Sequence, residues 1–392
     1  MEEPQPKRKA RVIAFYLPQF HPIPENDKWW GKGFTEWTNV GKAKPLFKGH
    51  YQPRVPADLG YYDLRMPEVR EAQAEMAREA GIEGFCYWHY WFGNGKQLLE
   101  RPFNEVLASG KPDFPFCLGW ANHSWTNKTW VRDGKQGNAM IAEQTYPGDE
   151  DYILHFNYAL KAFRDKRYIT VDGRPLFLIF DPYNIPDCRH FMRLWTDLAH
   201  QNGLPGVYFV AYTQNTSGRG IVEDGKQICK GFFATDEAGK YYDYWHRVVG
   251  FDAVASVGTW RAEALSKSRF LFTLHRVLSA RLGMGWNNVY DYRKIMQHYY
   301  VPEDALEYVY PSLLPQWDRS PRAGFNGIYT HSDPTFFKRS IEEALNLVKD
   351  KQPEHRILFL KSWNEWAEGN YVEPDLKFGH GYLDVIRECI VK

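Results

Sequence analysis

The sequence predicts an α/β chain folded as a single (β/α)8 TIM barrel with long βα loops at its C-terminal face. Three observations lead there. Eight short apolar segments recur along the 392 residues. They are nearly continuous in apolar residues instead of alternating, as strands buried on both faces are. Stretches with helical periodicity separate most of them. A doubly wound open sheet is the alternative that the same alternation allows.

The strand segments are residues 11–17, 84–91, 115–121, 175–180, 207–213, 251–257, 308–314 and 356–362, each bounded by turn residues. The helical stretches are 67–80, 102–109, 149–165, 186–201, 262–282, 334–349 and 382–391. Pro67, Pro186 and the Ser332-Asp333-Pro334 run carry helix-start signals. Residues 1–10 read as a polar N-terminal tail and 11–392 as one catalytic barrel, because no repeat or Gly/Ser linker divides them. Four long connections, 18–66, 122–148, 214–250 and 258–307, all follow strands. They belong on the face where barrel enzymes keep their sites, and loops of such length are usually functional.

Composition excludes several classes. Lysine and arginine number 49 against 48 acidic residues, so the net charge of +1 offers nucleic acid or anionic membrane no general attraction. Hydrophobic residues at 44% and charged ones at 25% exclude a mainly disordered chain. The longest apolar runs, 12–17 and 207–212, fall far short of the 18 or so residues of a spanning helix, so a soluble chain without a membrane span is expected. Residues 1–11 lack signal-peptide character; the chain as written reads as cytoplasmic, or as periplasmic or secreted if Met1 replaces a removed signal. The five cysteines show no metal-ligand spacing and read as buried free thiols.

Aromatic residues make up 17% of the chain, with 15 Trp, 25 Tyr and 25 Phe. Most fill a core. Many, however, stand beside polar residues at strand ends, and a flat ring next to a hydrogen-bonding group suits a sugar. The strand ends deliver Gln19 and His21; Trp88, His89 and Tyr90; Trp120, Asn122 and His123; Asp181; Gln214 and Asn215; Trp260; Trp317 and Asp318; then Trp363, Asn364, Glu365 and Glu368. Each alone serves equally as a cap or turn residue. Eight ends of one character point to a pocket, with Trp88, Trp120 and Trp317 expected around the two glutamates. Tyr16, Trp125 and Arg322 adjoin these ends, and Glu36 and Trp37 lie in the first long loop, so all five join the candidate substrate-binding set.

Glu365 and Glu368 are the candidate catalytic pair. On a helical turn, acids three apart have Cβ atoms about 5–6 Å apart. Two carboxylates that close cannot both ionise freely: one rises in pKa and becomes a proton donor while the other stays a base. Glycosidic cleavage requires that division. A helix N-terminus whose macrodipole favours two acids accounts for the spacing equally well.

The segment Ser362-Trp363-Asn364-Glu365-Trp366-Ala367-Glu368-Gly369 resembles the catalytic signature of family 99 glycoside hydrolases, the endo-α-mannosidases. Phe15 to Pro22 and Trp29 to Val40 are similar to the family-99-like group called WbsX-like, whose members occur in polysaccharide gene clusters and are often labelled glycosyltransferases. Further matches run from Gly84 to Trp91, Trp120 to Trp125 and Pro315 to Arg322. The resemblance covers nearly the whole chain. It implies a barrel and a retaining hydrolysis without a covalent glycosyl-enzyme: Glu365 deprotonates the sugar 2-hydroxyl, which attacks C1 to give a 1,2-anhydro sugar, while Glu368 protonates the leaving oxygen and then activates water. Two departures touch the sugar subsites. Ala367 stands where the mannosidases carry histidine, and the Pro18 to Pro22 stretch differs from theirs.

A glycosyltransferase of surface-polysaccharide synthesis is the main rival. Asp149-Glu150-Asp151 formally matches an Asp-any-Asp metal motif, but acids in a first helical turn explain it more cheaply. No Gly-x-Gly-x-x-Gly or phosphate loop follows a strand. A non-catalytic carbohydrate-binding protein is the second rival; it has no use for the acid pair. The 13 histidines are scattered without metal-ligand spacing, so neither metal nor cofactor is expected.

Overall fold

The computed structural model describes residues 8–126, 139–212, 221–223, 226–229, 237–267, 274 and 288–391. Eight parallel strands form a closed barrel: β1 (Arg11–Tyr16), β2 (Gly84–Trp91), β3 (Phe116–Trp120), β4 (Arg174–Ile179), β5 (Tyr208–Tyr212), β6 (Ala253–Ser256), β7 (Val309–Leu313) and β8 (Ile357–Leu360). Neighbours in sequence are neighbours in space. Closure comes from β1, which pairs with β2 through Ile13 and Gly84 and with β8 through Val12 and Leu358. No barrel edge is left unpaired, so a doubly wound open sheet is excluded.

Each strand coincides with a segment read from the sequence: β2 fills its segment, β4 starts one residue earlier at Arg174, and the other six are trimmed by one to three residues. The reason is burial on both faces: every residue of β3, β5, β6, β7 and β8 is buried. Helices Pro67–Glu79, Arg101–Ser109, Asp149–Phe163, Cys188–Gln201, Pro334–Val348 and Gly381–Ile390 accompany the strands. The fourth begins later than Pro186 because the Asp187 carboxylate accepts the His190 N–H at 2.9 Å and caps it. Of the helix expected at 262–282, the segment Thr259–Ser266 is helical; residues 268–273 and 275–282 lie outside the described residues.

Rings fill the barrel interior. Phe15 stacks on Trp88 at 4.5 Å and on Phe359 at 5.2 Å, with Tyr212 edge-on at 5.3 Å. Much of the aromatic content is therefore core. The last residues of the expected tail pack onto the body: Lys9 N–H donates to Ile390 O at 2.9 Å and Ala10 is buried. All five cysteines are buried, and none is in a disulfide. No helix of the described residues is long and apolar enough to cross a membrane.

Gly84 shows how tightly β1, β2 and β3 meet. A Cβ there would stand 2.3 Å from the Pro115 carbonyl oxygen, a backbone atom that cannot swing away. Gly84→Ala is expected to destabilise the barrel by about 1–3 kcal/mol. A denaturant midpoint lowered at unchanged slope would show it.

Candidate active site

The acid-bearing segment leaves β8 at Lys361 and forms a hairpin tip rather than a helix start. Asn364–Glu365 pairs antiparallel with Asn370–Tyr371 around the single tight turn Trp366–Glu368. Gly369 closes it at φ 55°, where a Cβ would sit within 3.0 Å of Asp318 atoms, and Asp318 N–H donates to Glu368 O at 2.7 Å. Only glycine permits both that conformation and that approach.

Beneath the turn lies Glu373, 2% exposed. Its Oε1 accepts Trp363 Nε1 at 2.7 Å and Gln73 Nε2 at 2.6 Å; its Oε2 accepts Trp366 Nε1 at 2.6 Å and Tyr62 Oη at 2.9 Å. Burial pushes this carboxyl up to about 7, against the pull of those four bonds. Indole nitrogens only donate, so an ionised Glu373 is the form that receives all four. Asn364 adds a second clamp: its Oδ1 accepts Leu17 N–H at 2.8 Å and its Nδ2 donates to Leu17 O at 3.1 Å.

Above the turn opens a cavity of about 470 Å³ whose lining includes Trp88, Trp125, Trp260, Trp317, Glu365 and Glu368. One guanidinium joins its acids. Arg322 Nη2 stands 2.5 Å from Glu36 Oε1 and 2.9 Å from Glu365 Oε1, and Nη1 stands 3.1 Å from Glu368 Oε1. Oxygens of the last two thus lie within a guanidinium's reach of each other, inside the roughly 9.5 Å limit for paired-carboxylate cleavage. Arg319 Nε approaches Glu368 at 3.4 Å.

These neighbours split the pair. Burial, with Glu368 and Glu36 as like charges, pushes Glu365 up to about 8 despite Arg322. Burial also opposes ionisation of Glu368, but Arg319, Arg322 and Lys361 together hold it below the ordinary carboxylate range. In the free site the proton therefore rests on Glu365. That is opposite to the roles the resemblance implies. Lys361, pushed down to about 8 by burial, lies over the faces of Trp317 and Tyr212 at 5.4 and 5.6 Å.

Of the candidate residues, Gln19, Trp88, His123, Trp125, Trp317, Arg322, Glu365 and Glu368 line the cavity, together with Tyr90 and Trp260. The others are placed elsewhere. Trp120 is buried against His155 and Phe191, its Nε1 donating to Trp91 O at 3.0 Å, so the expected three-tryptophan lining loses that member. His89 bonds His155 at 2.8 Å in the helix layer, and burial lowers it to about 3. Side-chain alternation is the reason: Trp88 and Tyr90 face the cavity and His89, between them, faces out.

Tyr16 donates its hydroxyl to Gln73 Oε1 at 2.7 Å, and the His21 ring meets Pro18 O at 3.1 Å, both buried. Asn122 joins the β3 and β4 ends through Asp181, whose N–H donates to Asn122 Oδ1 at 2.7 Å. Asp318, lowered to about 2 against its burial by His50 and Arg54, anchors the first loop through His50 and Gln52, each at 2.9 Å. Trp37 donates to Tyr62 O at 2.7 Å and packs on Trp366. Trp363 and Asn364 are buried in the turn's support, and Glu36 is wholly buried behind Arg322. Gln214 and Asn215 lie outside the described residues.

Four residues were not singled out from the sequence. Arg319 lies inside the Pro315 to Arg322 match and Lys361 directly before the signature, and both carried a signal in their position beside strand ends. Glu373 and Glu263 carried none: one lies four residues past the signature, and the other, lining the cavity, sits in an ordinary helical stretch.

The closed barrel defines the class, a (β/α)8 TIM-barrel protein. The model of a family described as Glycosyltransferase WbsX matches residues 12–386, and the chain belongs to that family. It is 35% identical over 385 residues to the uncharacterized protein WxcX of Xanthomonas campestris pv. campestris, in strain B100 and in strain ATCC 33913, covering 98% of this chain and 50% of each relative. The chain thus spans about half the length of the curated relatives it matches. Among solved structures it is similar to a glycoside hydrolase-like protein, at TM-score 0.57 and 15% identity over 100% of this chain and 98% of that one. It is also similar to a GH99 endo-alpha-mannosidase from Bacteroides thetaiotaomicron in complex with BIS-TRIS-propane, at TM-score 0.54 and 14% identity over 96% and 95%. At such identities the likeness carries the fold.

Two outcomes follow from the buried carboxyls. Glu373→Gln leaves donors without an acceptor, at about 1–3 kcal/mol each, and a thermal melt should fall accordingly. Glu365 behaves oppositely. Its folded pKa of about 8 exceeds the ordinary glutamate value of 4.5, so the folded state keeps a proton the unfolded chain releases. Stability is lost as pH rises between those values. Glu365→Gln removes that loss: its melting temperature, relative to the unsubstituted chain, should climb from pH 4.5 to 8 and then level off. A flat difference across that window would contradict the assignment.

Proposed function

We propose that this chain is a glycoside hydrolase acting on a poly- or oligosaccharide, with residues 11–392 as one catalytic barrel. The carrying observation is Glu365 and Glu368 in one aromatic cavity, joined by one guanidinium and with pKa values pushed apart. A pair holding a single proton near neutral pH is what an acid and a base flanking a glycosidic bond require.

In this reading the sugar ring stacks in the cavity, where Trp88 and Trp317 offer ring faces and Gln19 offers a bond for its hydroxyls. Glu365 takes the 2-hydroxyl proton, the oxygen attacks C1, and Glu368 protonates the departing oxygen; water then opens the anhydro sugar with retention. The resting proton lies on Glu365, so these roles require it to pass to Glu368 as substrate enters. Arg322, touching both acids, is the group whose contacts then change. The family's description favours a second reading, transfer from a nucleotide sugar. Release of reducing ends from a panel of bacterial and host glycans supports hydrolysis. A strict metal requirement after exhaustive chelation, together with tight nucleotide-sugar binding, supports transfer.

The roles are separable by leaving group. Glu368→Gln should cost 10²- to 10⁴-fold on substrates with poor leaving groups and much less on activated aryl glycosides, whereas Glu365→Gln should impair both alike. The reversed pattern would make Glu365 the acid, as its resting proton suggests. Activity of the unsubstituted chain should fall above about pH 8, where the pair loses its proton.

A further inference from the structure

The cavity extends past the acid pair to a wall that the chemistry above leaves unused. That wall is the helix Thr259–Ser266, which follows β6. Trp260 on it is 49% exposed, lines the cavity, and has no aromatic ring or cation packed on it among the described residues. One turn on, and so on the same face, stands Glu263. Its Oε1 accepts the Tyr329 hydroxyl at 2.7 Å; no described residue bonds its Oε2. A carboxylate serving only to stabilise the fold would be expected to engage both oxygens. Thr259 beside it is 5% exposed and lines the cavity, yet its Oγ1 has no hydrogen-bond partner among the described residues.

Two further features keep this wall open. Gly327 lines the same cavity, and a Cβ there would stand 3.3 Å from both Trp317 Nε1 and Arg319 Cδ. Arg319 reaches from this side to Glu368, so the wall is continuous with the acid pair.

We propose that this wall is a second sugar subsite, in which Trp260 stacks a neutral pyranose unit while Glu263 and Thr259 bond its hydroxyls. An exposed indole beside an unfilled acceptor and an unpaired hydroxyl matches a sugar's apolar face and polar rim. Burial, against the pull of Tyr329, Arg319 and Lys267, pushes Glu263 up to about 7. The carboxyl therefore exchanges hydrogen bonds with a neutral hydroxyl at little cost in charge. The subsite rests on the carbohydrate reading, and it means that the substrate spans at least two sugar units.

The test uses the full chain carrying Glu365→Gln and Glu368→Gln, so that glycans bind without turnover. Graded oligosaccharides from bacterial surface polysaccharides, one to six units long, are titrated calorimetrically. Adding Trp260→Ala or Glu263→Gln should weaken binding of chains of two or more units by roughly tenfold or more, and leave single units unaffected. Trp260→Phe, which keeps a ring, should restore most of the loss and guards against a folding defect. Unchanged oligosaccharide affinity in both variants overturns the subsite while leaving the hydrolase reading intact. Trp260-dependent binding without any cleavage by the unsubstituted chain keeps the subsite and ends the hydrolase reading. No binding of any glycan at millimolar concentration overturns both.

Discussion

The guanidinium of Arg322 ties three separate loops to one point. It follows β7, Glu36 follows β1, and Glu365 and Glu368 follow β8, yet all three carboxylates lie within 3.1 Å of its terminal nitrogens. Three largely buried carboxylates around one cation would leave an excess of negative charge, which is costly away from water. The site relieves that excess in two ways. Arg319 and Lys361 add positive charge near Glu368, and Glu365 keeps its proton. The split between the two acids is thus a consequence of how much cationic charge the barrel rim supplies, more than a property of either glutamate.

A second buried carboxylate does the mechanical work. Glu373 gathers the indole N–H groups of Trp363 and Trp366, which flank Glu365 in sequence, and ties them to Gln73 on the helix after the first long loop and to Tyr62 in that loop. This gives the two tryptophans a reason that sugar stacking does not: both are wholly buried and neither lines the cavity of the acid pair. Rigidity here bears on chemistry, since small errors in the placement of reacting groups are expensive in rate.

The fold was legible because its cause is repetitive. A strand buried on both faces must be apolar throughout, and eight such segments with helices between them leave few topologies. The acid pair and the cavity tryptophans Trp88, Trp125 and Trp317 were legible because strand ends of a barrel converge. Residues such as Trp120, His89 and Asn122 carried the same local signal and went to the core or to loop clamps, since one position's shift along a strand turns a side chain to the opposite face.

The sequence by itself determined the barrel, its family and the identity of the paired acids, because periodicity and short motifs are local properties. Only the tertiary structure decided where protons lie, which aromatic rings meet the cavity, and that Glu263 and Glu373 belong to the site at all. Those outcomes depend on groups distant in the chain: Arg322 stands 286 residues from Glu36, and Glu373 stands 311 from Tyr62. A pKa or a cavity wall is the sum of such neighbours, and no window of sequence contains them.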